Sequence, residues 1–314
     1  MNKKEFRTLD EQVNIMINKG LKVNDIDKAK DVLFRENYFF INGYRTLFYT
    51  KDRRFIEGTT FDELYSLFLF DRNLRNIIFK YLLVFENNIK SIISYQLSKK
   101  YGYMEKDYLN PKNFTRDIKD KRRVEDVLNK MRRQIRINGE KHTATFHYIT
   151  KYHYIPLWIL VKVLSFGLIN ELFGILKEED QNEIAEFYKT DSDNLKVYLQ
   201  LLANYRNLCA HEDILYEHKT QTYISDTYYH HKLDIPKNDY GEYVKGKNDI
   251  FALIIILKQV LQADRFSEMM AEINRCFDIF DLNVNTIDVN KLLNRMGFPE
   301  NYMDIVDMQG GLNE

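Results

Sequence analysis

The sequence predicts an all-α fold, and three observations carry that prediction. Glycine and proline are scarce, 12 and 4 in 314 residues, so the chain has little of the punctuation that turns and strands need. Apolar residues recur at three- and four-residue steps, the period of helices with one buried face. Hydrophobic residues make up 45% of the chain and aromatic residues 14%, enough for a sizeable core and too many for a disordered chain.

The helical pattern can be followed along the chain. Residues 24–36 predict a first helix, with Asn24 or Asp25 as its cap ahead of Ile26, Ala29, Val32 and Leu33. An aromatic-rich connection, NYFFINGYRTLFY, follows from Asn37 to Tyr49. A long helical region opens at Thr60 and runs to about Gly102, with Leu74, Ile77/Ile78, Tyr81/Leu82, Phe85, Ile89 and Ile92/Ile93 as its apolar face. Glu86 borders that face, where a carboxylate either pairs with an arginine or takes part in catalysis. Residues 155–173 predict one largely buried helix that contains a glycine, with Pro156 near its start, where a missing N–H is least costly, and Trp158 in its core. Thr190, Asp191 and Ser192 offer caps for the next helix, DNLKVYLQLLANYRNLCAHE. Tyr216 to Asn248 is polar, tyrosine-rich and aperiodic, an irregular insertion; a last apolar helix, DIFALIIILKQVL, leads into an acidic tail.

Lysine and arginine number 46, aspartate and glutamate 46, so the formal net charge is zero. That excludes a uniformly basic chain of the histone or ribosomal kind, but not a local basic patch. Regional counting finds one: residues 112–141 carry net +6, and residues 264–314 carry net −6. The basic stretch is either a solvated helix face or a phosphate-binding surface, with Lys121, Arg122, Arg123, Lys130, Arg132, Arg133 and Arg136 as the candidate RNA contacts. Two cysteines, Cys209 and Cys276, make no disulfide framework. The start, MNKKEFRTLDEQ, has no apolar region of a signal peptide, and the longest uncharged apolar run, Phe251 to Leu257, falls far short of the roughly 20 residues of a membrane span. A cytoplasmic protein without a membrane partner is expected.

The helix over 193–213 holds the candidate chemistry. Its apolar stripe runs through Leu195, Leu199 and Leu202, then meets Arg206 before Cys209. A guanidinium on an inward stripe must find an anion, a polar partner or a wet cleft. Asn207 and His211, four residues apart, lie one above the other on the adjoining face. An imidazole that titrates near neutrality beside a fixed cation suits phosphodiester chemistry: the histidine moves a proton and the arginine stabilises charge on the phosphorane oxygens. The spacing alone is weak, because Arg136 and His142 repeat it around Gly139 in a segment with no apolar stripe.

Ordered blocks of the chain carry more. NYFFINGY (37–44), GTTFDELYSLFLFDRNLRNIIFKYLLVFENNIKS (58–91), PLWILVKVLSFGLINELF (156–173), LQLLANYRNLCAH (199–211) and GKNDIFALIIILKQVL (246–261) together resemble the Abi family of bacterial abortive-infection proteins, of the AbiD/AbiF type. That family is similar to the wider HEPN group of α-helical ribonucleases, whose signature matches Arg206-Asn207-x3-His211. The resemblance implies an HEPN-like helical bundle with additional helices and an irregular insertion. It spans a single domain over 1–314, divisible into an N-terminal helical part (1–110), a basic segment (111–150), a motif-bearing part (151–275) and an acidic tail (276–314). It implies metal-independent RNA cleavage, in which the 2′-hydroxyl attacks the adjacent phosphate at a composite site assembled by a homodimer. His211 would transfer protons, Arg206 would stabilise the transition state and Asn207 would orient either. Neither a metal nor a cofactor is implied, and DNA is not the expected partner. One departure concerns Glu212 and Asp213, which follow His211 where relatives carry basic and asparagine residues; acids there raise an imidazole's pKa or repel a phosphate backbone.

Other signals are weaker. His230, His231 and His218 invite zinc, but no cysteine pair or HExxH pattern accompanies them. The aromatic cluster Tyr38, Phe39, Phe40, Tyr44, Phe48 and Tyr49 either packs the helix connection or stacks bases. No glycine-rich phosphate loop is present. Two functions from different classes therefore stand: an HEPN-type endoribonuclease of phage defence, and a non-catalytic module that holds a structured noncoding RNA. A weaker third is a protein-interaction component that senses phage through the acidic tail.

Overall fold

The computed structural model describes residues 5–309 as fifteen α-helices, with no β-strand among them. In order these are α1 (Leu9–Asn18), α2 (Ile26–Glu36), α3 (Tyr38–Gly43), α4 (Phe61–Tyr101), α5 (Glu105–Tyr108), α6 (Lys121–Asn138), α7 (Thr143–Tyr152), α8 (Leu157–Leu160), α9 (Phe166–Ile175), α10 (Glu178–Glu186), α11 (Ser192–Ala210), α12 (Tyr228–Lys232), α13 (Ile250–Val260), α14 (Ala263–Asn283) and α15 (Val289–Met296). No helix among the described residues is long and apolar enough to cross a membrane. The all-α prediction is met.

Helix α4 is the spine. It spans 41 residues, about 60 Å at 1.5 Å per residue. The side chain of its cap Thr60 accepts from Glu63 N, while Glu63 Oε2 accepts from Thr60 N at 2.8 Å, a reciprocal pairing of end groups. The other Glu63 oxygen accepts from the N–H groups of Asn285 and Thr286 at 2.8 and 2.9 Å, which ties the chain after α14 to the start of α4. Burial works against the charge on Glu63, yet these donors together hold its carboxyl below its ordinary value. Leu74, Ile78, Tyr81, Leu82, Phe85, Ile89 and Ile93 are buried as the spacing predicts.

Several expectations are corrected. Residues 155–173 do not form one helix. α8 ends after one turn, and Ser165 caps a separate α9 by accepting from Leu168 N at 3.2 Å. Trp158, on α8, sits at the surface, 43% exposed, and is not a core residue. The first helix is α1, ahead of the segment where helix was expected to begin, and α10 intervenes before the motif helix. The acidic stretch is not a free tail over its described part. α14 packs along α4, where Phe70 meets Phe277 at 5.2 Å and Phe280 at 5.5 Å, and Lys80 and Tyr81 bond Glu272 at 2.6 and 2.9 Å. Part of the −6 charge is therefore matched within the fold.

Candidate functional site

Helix α11 positions the motif. Asp191 caps it, accepting from Asn194 N at 2.7 Å, and Leu195, Leu199 and Leu202 are buried against its neighbours α9, α4 and α10. One turn further on, the buried stripe meets Arg206, which leans against α4. Its Nε donates to Glu86 Oε2 at 3.3 Å, and its guanidinium stands 5.6 Å from the centre of the Phe79 ring. The second Glu86 oxygen accepts from Lys90 Nζ at 2.7 Å. The carboxylate is buried between two cations, leaving the trio Lys90–Glu86–Arg206 with a net positive charge. Glu86 is thus the anion that the inward arginine requires.

Asn207 and His211 lie exposed on the adjoining face of the last turn. His211 is the C-cap, its N–H donating to Asn207 O at 3.0 Å. The chain then reverses: Glu212 adopts φ +57°, and Asp213 N donates back to Leu208 O at 3.3 Å. This is the left-handed helix ending that usually holds glycine. Cys209, inside the motif, is buried, and burial pushes its thiol up to about 12, so it is no nucleophile.

What holds this ending in place was not found in the sequence. Asp71 of α4 is fully buried and accepts from Leu215 N at 3.0 Å, Tyr216 N at 2.7 Å and Tyr44 Oη at 2.7 Å. Arg75, one turn along, pairs with it and also donates to Asp213 O at 3.3 Å. Burial pushes the Asp71 carboxyl upward, and Arg75 with the N–H donors pulls the other way. The loop after the motif is therefore bolted to α4 by one ion pair. The available signal was a carboxylate and an arginine at i and i+4, on the same face as Leu74 and Ile78.

Beside this loop is a cleft of about 1210 Å³ whose lining includes Phe39, Phe40, Arg45, Arg72, Glu212 and Asp213. The aromatic connection before α4 divides here. Tyr44 and Phe48 are buried, whereas Phe39 and Phe40 are exposed. Arg72 closes one wall through a two-pronged pair with Glu36 at 2.9 and 2.6 Å.

The basic residues lie elsewhere. Val124, Val127, Leu128 and Met131 bury one face of α6 against α9, and α9 packs in turn on α11, so α9 separates the basic helix from the motif. Lys121, Arg122, Arg123, Arg132, Arg133 and Arg136 are exposed. Lys130 is not like them: its ammonium is shared between Asp126 and Glu171, each at 2.8 Å. The Arg136–His142 repeat of the motif spacing falls across the break between α6 and α7, with His142 capping α7 and not continuing a helix. His230 is a packing residue, its Nδ1 accepting from Thr227 N at 3.0 Å and its Nε2 2.8 Å from Gly246 O. Burial pushes its imidazole down to about 4. His218 pairs with Asn204 at 2.7 Å, and His231 is exposed.

A family described as Abi-like proteins matches residues 31–217, from α2 to just beyond the motif. The matched span contains both halves of the Asp71 anchor, α4 and the loop it holds. No curated protein and no solved structure matches the chain.

Proposed function

The chain belongs to the Abi-like family, and on that premise we propose that it is an abortive-infection protein of phage defence that acts as a metal-independent endoribonuclease. The observation that carries this is the end of α11, where a cation braced by a buried carboxylate stands beside an exposed asparagine and histidine. In the proposed reaction the RNA 2′-hydroxyl loses its proton and attacks the adjacent phosphorus. The bond from phosphorus to the 5′-oxygen breaks, and that oxygen takes a proton. The products are a 2′,3′-cyclic phosphate and a 5′-hydroxyl. His211 moves a proton, Arg206 stabilises the charge on the phosphorane oxygens, and Asn207 orients one of them. Glu86, whose other oxygen is held by Lys90, keeps Arg206 in place.

The two proton transfers suit two imidazoles, and the motif of each chain carries one, His211. A homodimer that brings two α11 ends together supplies both, and the exposure of Asn207 and His211 leaves them accessible to a second copy. Replacing His211→Ala abolishes RNA cleavage and growth arrest while leaving thermal unfolding unchanged, because the side chain is exposed. Cleavage persists in EDTA. Retained cleavage by the alanine variant overturns the mechanism.

A second function is favoured by one observation, the six exposed cations on α6, which α9 sets apart from the motif. There the helix holds a structured RNA that restrains the chain or a partner. Charge reversal at Arg122, Arg123, Arg132 and Arg133 then weakens RNA binding and flattens its salt dependence without touching the chemistry at α11.

A further inference from the structure

Away from the motif, six aromatic rings form a continuous line on the surface. Trp158 lies 5.5 Å from Tyr103, centroid to centroid, and Tyr103 lies 5.8 Å from Tyr154. Tyr154 is 6.4 Å from Tyr152, Tyr152 is 5.3 Å from Tyr148, and His147 stands 5.7 and 6.0 Å from those last two. Trp158, Tyr103 and Tyr152 are each 40–44% exposed. The rings come from four segments: the turn before α5, α7, the connection from α7 to α8, and α8. His153 takes φ +63° between α7 and α8, and hydrogen bonds pin the connection to α5. Ile155 N donates to Glu105 Oε1 at 2.6 Å, and Tyr108 Oη donates to Ile155 O at 2.8 Å. The line is thus built in advance by the fold.

Its charge is one-sided. From Lys141 to Asn170 the sequence has no aspartate or glutamate, but three lysines and three histidines. Lys151 Nζ stands 5.3 Å from the centre of the Tyr152 ring. The nearby Glu105 is occupied by Ile155 N, and Asp107 accepts from Met104 N at 3.3 Å. α7 docks directly on the end of α6, where Ile149 packs against Gly139 and Thr145 Oγ1 donates to Asn138 O at 2.5 Å. The aromatic line therefore continues from the end of α6 that carries Arg133 and Arg136.

We propose that this line is a stacking platform for unpaired bases of a single-stranded RNA, whose phosphates follow the arginines of α6. Flat rings accept any base face, and the cations beside them meet the backbone, the combination that single-strand binders use. A second copy fits less well, because the segment from Lys141 to Asn170 offers no carboxylate to meet Lys151 across a self-complementary contact. The platform rests on RNA being the partner, but not on cleavage. The strand is either the one cleaved or one that regulates.

The chain's only tryptophan lies on the platform, which gives a direct readout. The full-length His211→Ala variant is titrated with a labelled single-stranded 12-mer RNA, following anisotropy and tryptophan fluorescence together. Saturable quenching of Trp158 with the same midpoint as the anisotropy is expected. Tyr152→Ala weakens binding by about 5- to 150-fold, the effect of losing one stacked base, while Tyr152→Phe restores it. The salt dependence of Tyr152→Ala binding stays as in the parent, whereas Arg133→Ala and Arg136→Ala lower it. With His211 intact, a raised KM at constant kcat in Tyr152→Ala identifies the strand as substrate. Unchanged cleavage with loss of RNA that co-purifies identifies it as regulatory. Unquenched Trp158 with undiminished affinity in Tyr152→Ala overturns the platform, as does a change in oligomeric mass in place of RNA affinity. Failure of the nuclease shows instead as cleavage by His211→Ala, which leaves the stacking result untouched.

Discussion

Arg206 Nε lies 3.3 Å from Glu86 Oε2, across 120 residues of sequence, and this contact joins the motif helix to the spine of the fold. Glu86 is 5% exposed and also holds Lys90. One buried carboxylate thus decides where the arginine of the motif stands.

Glu86→Gln removes that anion while keeping the shape of the side chain. Two cations, one of them buried, lose their partner, and the expected loss of stability is about 1–3 kcal/mol, measured by urea denaturation. If Arg206 serves the reaction, kcat of RNA cleavage falls more than KM rises. Undiminished kcat would confine the pair to a structural role.

Asp71→Asn tests the anchor under the loop. Arg75 is 3% exposed, and without its anion it becomes an unpaired buried charge, for which the expected loss is about 3–5 kcal/mol. Tyr44→Phe removes a hydroxyl that donates to Asp71 and accepts from Arg75, and costs about 1.5–3 kcal/mol. The order of the two variants in a thermal melt checks the assignment of Asp71 as the hub.

Glu212→Gly relieves the left-handed backbone at the end of α11. A residue other than glycine costs roughly 1–2 kcal/mol there, and the added freedom of the unfolded chain returns part of it. A net gain of about 0.5–1 kcal/mol is expected, read as a raised Tm. No gain would mean that the weak approach of Glu212 to Arg72 at 3.9 Å offsets the strain.

His230 gives stability a pH dependence with a defined sign. Its folded pKa, about 4, lies below its ordinary 6.5 because the ring is buried. The unfolded chain therefore takes up a proton that the folded one refuses. Its contribution is complete above pH 6.5 and is lost as pH falls from 6.5 to about 4, to a total of about 3 kcal/mol. Urea denaturation of wild type and His230→Gln across that window should show a shallower slope in the variant. Equal slopes would place the proton uptake on other groups.

Much of the fold was legible because helices announce themselves locally. The cap at Thr60, the buried face of α4, the Asp191 cap and the position of Arg206 all follow from residue types within a few positions of each other. The break between α8 and α9 was not legible, since PLWILVKVLSFGLINELF is largely apolar and its periodicity does not reveal that Ser165 starts a new helix. Nor was the surface position of Trp158 legible, since the rings it joins come from segments that only the fold brings together. Lys130 reads as one more cation of a basic stretch until Glu171 is brought against it.

The sequence by itself determined the all-α class, the long helix α4, the family resemblance and the order Arg206-Asn207-x3-His211 at the end of α11, because these depend on spacing along a single segment. Only the tertiary structure decided which anion meets Arg206, what anchors the loop after His211, and that α9 packs against both the basic helix and the motif helix. Each of these depends on which distant residues share a buried space, and burial is what turns a carboxylate such as Glu86 or Asp71 from a solvated charge into one that must be paired.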